Sequence, residues 1–124
     1  YISGADNGLV RNNTIGGNGS DGIEIDGSST GTIILGNMVG NNGTLAFPNA
    51  HDGILITNGS GNIVGGPNAS DRNIVSGNLD DGINIVGDTS VNNLVEGNYI
   101  GLNATGVSAL GNSDDGIVIT SPSN

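Results

Sequence analysis

Asn78-Leu79-Asp80-Asp81-Gly82-Ile83-Asn84-Ile85 is one of four copies of a single octet, Asn-x-x-Asp-Gly-Ile-x-Ile. The others begin at Asn18, Asn49 and Asn112. Their aspartates, Asp21, Asp52, Asp81 and Asp115, stand 31, 29 and 34 residues apart. A repeat of that length marks a stack of equivalent units, each burying its apolar face against its neighbours. Within every copy the two Ile residues flank one residue of another kind, the period of a strand. Ile23 and Ile25, Ile54 and Ile56, Ile83 and Ile85, and Ile117 and Ile119 are therefore expected to line an interior. The intervening Glu24, Leu55, Asn84 and Val118 face outward and share no chemistry.

Working outward from the octets, a second, looser strand is expected to follow each: Leu9-Val10-Arg11, Ile33-Ile34-Leu35, Ile63-Val64 and Leu94-Val95-Glu96. It ends in Asn13, Asn37 and Asn98 in three coils, and in Gly65-Gly66-Pro67 in the other. A third strand is expected around Ile15, Val39, Ile74-Val75 and Tyr99-Ile100. Three short strands per turn, repeated in register, describe an all-β triangular solenoid of about four coils. No stretch sustains a helical apolar period, and Gly or Asn interrupts nearly every window.

The solenoid explains the composition. Only 34% of the residues are hydrophobic and 2% aromatic, too few large side chains for an ordinary globular core. Stacked coils place like on like at roughly 4.8 Å, so aliphatic ladders fill a narrow core. Asn18, Asn49, Asn78 and Asn112 are expected to form an amide ladder at one corner. Gly22, Gly53, Gly82 and Gly116 mark a bend that needs either positive φ or close approach of backbone.

The segments GNIVGGPNASDRNIVSGNLDDGINI (residues 61–85) and GNYIGLNATGVSALGNSDDGIVI (residues 97–119) resemble the right-handed parallel β-helix repeats of the pectate-lyase-like superfamily. They are most similar to the large Asn/Gly-rich repeat proteins of bacterial surfaces. The resemblance covers essentially the whole chain and implies one parallel β-helix domain over residues 1–124, as part of a longer solenoid or as a stacking subunit. That superfamily includes polysaccharide lyases, hydrolases, epimerases, tailspikes, adhesins and structural proteins, so the fold alone does not fix an activity.

The net charge is −10, with Arg11 and Arg72 the only basic side chains apart from His51. Phosphate recognition needs a basic footprint, which excludes nucleic acid as the expected partner. No apolar run reaches membrane-spanning length. There is no cysteine, so the redox compartment leaves no mark. The chain starts at Tyr1 rather than Met, which reads as a mature or excised segment. Tyr1-Ile2-Ser3-Gly4 matches the phase of Glu24-Ile25-Asp26-Gly27, and Ile119-Thr120-Ser121 ends near the same phase. The chain thus holds close to a whole number of coils without an evident cap. The expected partners are flanking coils of the same protein or copies of it.

The aspartate ladder is the most regular chemical feature. Carboxylates stacked at that spacing repel by about 1 kcal/mol per neighbouring pair in water, and Asp80 and Asp114 add to the charge. Two readings stand: Asp80, Asp81, Asp114 and Asp115 hold Ca²⁺, which takes several oxygen ligands, or each ladder Asp accepts a backbone N–H at the turn before its strand. No other cofactor is expected. Acid pairs for glycoside cleavage exist, but the histidine and basic residues that accompany them in this superfamily do not. His51 beside Asp52 offers a general-base pair or an ordinary variable position. The weight of the residues is against catalysis.

Inserts over Met38–Pro48, Pro67–Arg72 and Leu102–Leu110 are expected to emerge along one side, where a ligand would bind or where length variation is merely tolerated. Phe47, Tyr1 and Tyr99 are the only aromatic platforms for a sugar. Six Asn-x-Ser/Thr sequons, at Asn12, Asn18, Asn42, Asn58, Asn68 and Asn103, matter only in a glycosylating host. The expectation is an extracellular or cell-surface structural or adhesive β-helix. The alternative is a polysaccharide-binding or polysaccharide-active β-helix with its site on the insert face.

Overall fold

The computed structural model describes residues 1–120; Ser121, part of the expected closing phase, lies outside them. Every strand is parallel to its neighbours. The first sheet stacks β1 (Ile2–Ser3), β4 (Ile23–Asp26), β7 (Ile54–Thr57), β10 (Ile83–Val86) and β13 (Ile117–Ile119). The second stacks β2 (Leu9–Arg11), β5 (Ile33–Leu35), β8 (Ile63–Gly65) and β11 (Leu94–Glu96). The third stacks β3 (Thr14–Ile15), β6 (Met38–Val39), β9 (Ile74–Val75) and β12 (Tyr99–Ile100). Chain order cycles through the three sheets, so each turn contributes one strand to each. This is the right-handed parallel β-helix expected from the repeat, with the octets in register: Ile23, Ile54, Ile83 and Ile117 are mutual partners in sequence.

The core is a set of single-file aliphatic columns. Ile23, Ile25, Ile54, Ile56, Ile83 and Ile85 fill the first sheet's inner face. Ile34 and Val64 face them from the second sheet, Val39 and Val75 from the third, with Val10, Val95, Ile15 and Ile100 packed against the group. Ile117 and Ile119 depart from expectation. They carry the inward register but are 44% and 49% exposed, because no described coil follows them.

The corners account for the abundance of Gly and Asn. Two residues before each second-sheet strand the backbone turns left-handed at Asn7, Gly31, Gly61 and Asn92, with φ between 57° and 67°. Asn and Gly interchange there because both tolerate that region. The octet glycines serve a different end. Gly22, Gly53 and Gly82 do not have positive φ. A Cβ on Gly53 would sit 2.6 Å from the Gly82 carbonyl oxygen and 2.6 Å from Val75 Cγ1. Of the two reasons open for these glycines, the close approach of one coil to the next is the operative one.

The inserts do not share one side. Met38–Val39 is strand β6 and belongs to the regular coil. The second-coil insert begins after it and closes on itself through the antiparallel bridge Asn41–Ala46. The fourth-coil insert does the same through Leu102–Ala109. Both leave the corner between the third and first sheets, and the Ala104 N–H donates to the Gly43 carbonyl across the short turn of the third coil at 2.9 Å. The Pro67–Arg72 insert leaves a different corner, between β8 and β9. Sequence length alone cannot show which corner an insert leaves, since any corner can absorb extra residues.

The glycine contacts set up an internal comparison. Gly53→Ala should cost about 1–3 kcal/mol of unfolding free energy through forced separation of coils. Gly116→Ala should cost less than about 1 kcal/mol, because the nearest atom to its Cβ would be Ile100 Cγ2 at an ordinary 3.4 Å. Urea unfolding of both variants checks this; equal losses would refute the close-approach account.

Candidate functional site

Buried polar side chains are numerous for a core this small, and most of the buried Asn and Asp residues stack along the axis. Asn18 Nδ2 donates to Asn49 Oδ1 at 2.7 Å, Asn49 Nδ2 to Asn78 Oδ1 at 2.8 Å, and Asn78 Nδ2 to Asn112 Oδ1 at 2.9 Å. Asn49 and Asn78 are fully buried. The expected amide ladder is therefore present on all four coils. Two rungs also receive a backbone bond: the Asn18 N–H donates to Asn49 Oδ1 at 3.3 Å and the Asn78 N–H to Asn112 Oδ1 at 3.1 Å. A buried amide left unpaired would cost about 1–3 kcal/mol, so the ladder fixes coil register as well as spacing.

A second ladder was only partly legible. Asn13 Nδ2 donates to Asn37 Oδ1 at 3.0 Å, Asn37 Nδ2 to Asn73 Oδ1 at 3.0 Å, and Asn73 Nδ2 to Asn98 Oδ1 at 2.9 Å. The third coil had seemed to replace its Asn with Gly65-Gly66-Pro67. Its Asn is Asn73, carried past the insert to the same rung. A third, shorter ladder joins Asn62 Nδ2 to Asn93 Oδ1 at 2.9 Å, and Thr32 N–H to Asn62 Oδ1 at 2.9 Å. It fades at Thr32, whose Oγ1 is buried without a partner.

The aspartates form the acidic corner beside the first sheet. The Asp52 N–H donates to Asp21 Oδ1 at 3.0 Å, the Asp81 N–H to Asp52 Oδ1 at 3.1 Å, and the Asp115 N–H to Asp81 Oδ1 at 2.9 Å. Asp21, Asp52 and Asp81 thus each cap a backbone donor, as one of the two readings required. The donor belongs to the next coil rather than to its own turn. Asp52 and Asp81 are only 5% and 8% exposed. Asp52 Oδ2 also accepts from Asn84 Nδ2 at 3.1 Å, which gives one outward residue of the octets a role. Burial pushes the Asp52 carboxyl above its ordinary value, against the pull of the Asn84 and Asp81 donors and with the help of the neighbouring Asp81 and Asp21 charges.

Of the four acids considered for Ca²⁺, the structure groups Asp81 with Asp114 and Asp115, and Asp80 with Asp81 and Asp52. Within each trio one oxygen from every residue lies within 4.8 Å of the others. Asp52, left out by reading the paired acids alone, joins because consecutive coils bring it beside Asp80 and Asp81. The capping bonds account for one oxygen each of Asp52 and Asp81 without an ion. Asp52 accepts from the Asp81 N–H and Asn84 rather than from His51.

Of the aromatic side chains, Tyr99 is covered and Phe47 partly so, while Tyr1 is 76% exposed. The Arg72 guanidinium lies 4.0 Å from the centroid of the Tyr99 ring, and Arg72 Nε donates to the Gly97 carbonyl at 3.0 Å. Phe47 lies over Gly16 and Gly17 of the first coil. No pocket is formed among the described residues.

A family model described as the right-handed beta helix region matches residues 1–100. The chain belongs to that family. No curated protein and no solved structure matches it. Membership in the right-handed β-helix family agrees with the three parallel sheets and leaves the choice of activity to the surface chemistry.

The state of Asp52 makes the corner pH-sensitive in a defined sense. A carboxyl whose pKa is raised on folding binds its proton more tightly in the native state. Its contribution to stability therefore rises as pH falls from neutral toward the ordinary value of 3.8. Asp52→Asn keeps an acceptor for the Asp81 N–H and removes that dependence, whereas Asp52→Ala leaves the buried donor unpaired and should cost about 1–3 kcal/mol. Thermal unfolding of the three proteins between neutral and mildly acid pH checks this. Repeating the neutral-pH series with Ca²⁺ separates the two readings of the corner: capping alone predicts no cation-specific rise in Tm, while a rise lost in Asp81→Asn would establish a metal site.

Proposed function

We propose that this protein is an extracellular structural or adhesive element, built to extend along its own axis. The observation that carries the reading is the polarity of the ladders. Each Asn passes a hydrogen bond forward to the next coil, and each Asp accepts one back from it. The last described coil therefore ends in the forward donors of Asn112 and the acceptor of Asp115. The first coil begins with Asn18 Oδ1 and the Asp21 N–H, which are their complements. Exposed Ile117 and Ile119 supply an apolar floor beneath the same surface. A further coil in register would satisfy these groups; a neighbouring copy supplies it only if its β1 gives way to β13, because the first sheet holds five strands where the other two hold four.

The surface supports this reading over a polysaccharide-active one. The inserts are divided between two corners, Tyr99 is covered by Arg72, and Phe47 lies partly against the first coil. The acidic surface, at a net charge of −10, also disfavours a polyuronate chain.

Electron microscopy of the purified chain at neutral pH tests the proposal. Filaments with an axial repeat of roughly 19 Å, four coils at the strand spacing, are the expected result. Isolated short rods at all concentrations would rule out stacking of copies. Binding to a neutral or acidic polysaccharide array with defined selectivity would favour the carbohydrate reading instead.

A further inference from the structure

The outer face of the second sheet differs from that of the first. Its first row is aliphatic on every coil: Leu9, Ile33, Ile63 and Leu94, paired in that order. Their neighbours Val10, Ile34, Val64 and Val95 point into the core, which sets the first row outward. Leu9 and Leu94 are well exposed. The next outward row reads Arg11, Leu35, Gly65 and Glu96. The corresponding outward row of the first sheet, Glu24, Leu55, Asn84 and Val118, has no such uniformity.

The order of these rows has a symmetry. Consider a two-fold axis lying parallel to the strands, in front of the sheet and midway between β5 and β8. It brings the first coil of one molecule opposite the fourth coil of the other, and the second opposite the third, while preserving position along each strand. Leu9 then meets Leu94, Ile33 meets Ile63, and Arg11 meets Glu96, each contact occurring twice, as an isologous interface requires. Arg11 is the basic side chain not engaged by an aromatic ring; Arg72 is the one held over Tyr99. Rotation about an axis parallel to the sheet normal would instead leave the two faces pointing the same way, and a two-fold parallel to the solenoid axis would set each coil against its own copy, so that Arg11 never meets Glu96. Only the axis parallel to the strands matches apolar with apolar and plus with minus.

We infer that the second sheet is a lateral self-association face, on which a second copy of this chain packs antiparallel, coil one against coil four. The occupant is the same chain because the complementarity lies within a single set of residues. The face spans about 19 Å along the axis and two residues, about 7 Å, along the strands. That is small beside the ~800 Å² per partner of a standard interface, so four coils associate weakly, and the contact grows in proportion to the number of coils stacked. The inference does not depend on axial stacking: it concerns the width of the particle, not its length.

Charge reversal supplies the test, because the symmetry makes an unusual demand. Arg11→Glu places two acids opposite each other at both ends of the interface, and Glu96→Arg places two bases there. Each single variant should weaken pairing by about tenfold or more. The double variant restores both pairs and should recover the wild-type constant to within about threefold. An equimolar mixture of the two single variants should form heterodimers although neither pairs with itself. Sedimentation equilibrium at rising concentration gives the constants, and small-angle scattering gives the cross-section, which doubles on lateral pairing and stays constant on axial stacking. Circular dichroism confirms the fold, which these outward residues do not support. Ile63→Lys should abolish pairing altogether. A wild type that keeps a single-solenoid cross-section at the highest attainable concentration would overturn the inference. So would a mixture of the single variants that behaves as either does alone.

Discussion

A buried carboxamide that donates to the coil ahead and accepts from the coil behind is the contact on which the rest of this molecule depends. Asn37 and Asn73 show it most fully: Asn37 Nδ2 reaches Asn73 Oδ1, while Asn73 Nδ2 reaches both Asn98 Oδ1 and the Ile34 carbonyl at 2.8 Å. Aliphatic burial drives the coils together, but it is indifferent to small slips along the axis or around the turn. A carboxamide is not, since a displaced rung leaves a donor and an acceptor unpaired inside. The ladders therefore convert a non-directional attraction into one register. From that register follow the single-file Ile and Val columns, the close glycine contacts and the stacked aspartates.

The same constraint explains how far the fold could be read from residues alone. The octet made the first sheet, the Ile columns and one amide ladder legible, because all four copies keep Asn, Asp, Gly and Ile at identical spacing. Asn73 escaped because seven residues separate it from β8, and a ladder is recognised in sequence by spacing but built in space by stacking. The aspartate caps were half legible. An Asp before a strand suggests a local turn bond, yet its oxygen is nearer to the next coil, and only three-dimensional stacking reveals that. The glycines were misassignable for a related reason, since Gly53 looks the same in sequence whether it relieves a torsion or a collision with Gly82.

The surface divides into regions with separate chemistry. The acidic corner holds Asp52 and Asp81 at some electrostatic cost, offset by N–H groups of neighbouring coils and by Asn84. The second sheet carries an aliphatic row with opposite charges at its two ends. The paired inserts of the second and fourth coils make a ridge that spans the third, with Leu45 and Val107 exposed along it. None of these is a cleft. A β-helix of this kind carries its chemistry in repeating lines rather than in a pocket.

The central claim is that the inter-coil amide ladders, rather than the aliphatic columns alone, hold the coils in register. The most direct measurement is native-state hydrogen exchange on Asn73→Ala beside Asn103→Ala, whose side chain bonds only within its own turn. The account predicts that Asn73→Ala loses about 2–4 kcal/mol of stability, with protection falling in the second, third and fourth coils together, while Asn103→Ala loses less than about 1 kcal/mol and only locally. Equal, local losses in the two variants, with exchange elsewhere unchanged, would contradict it.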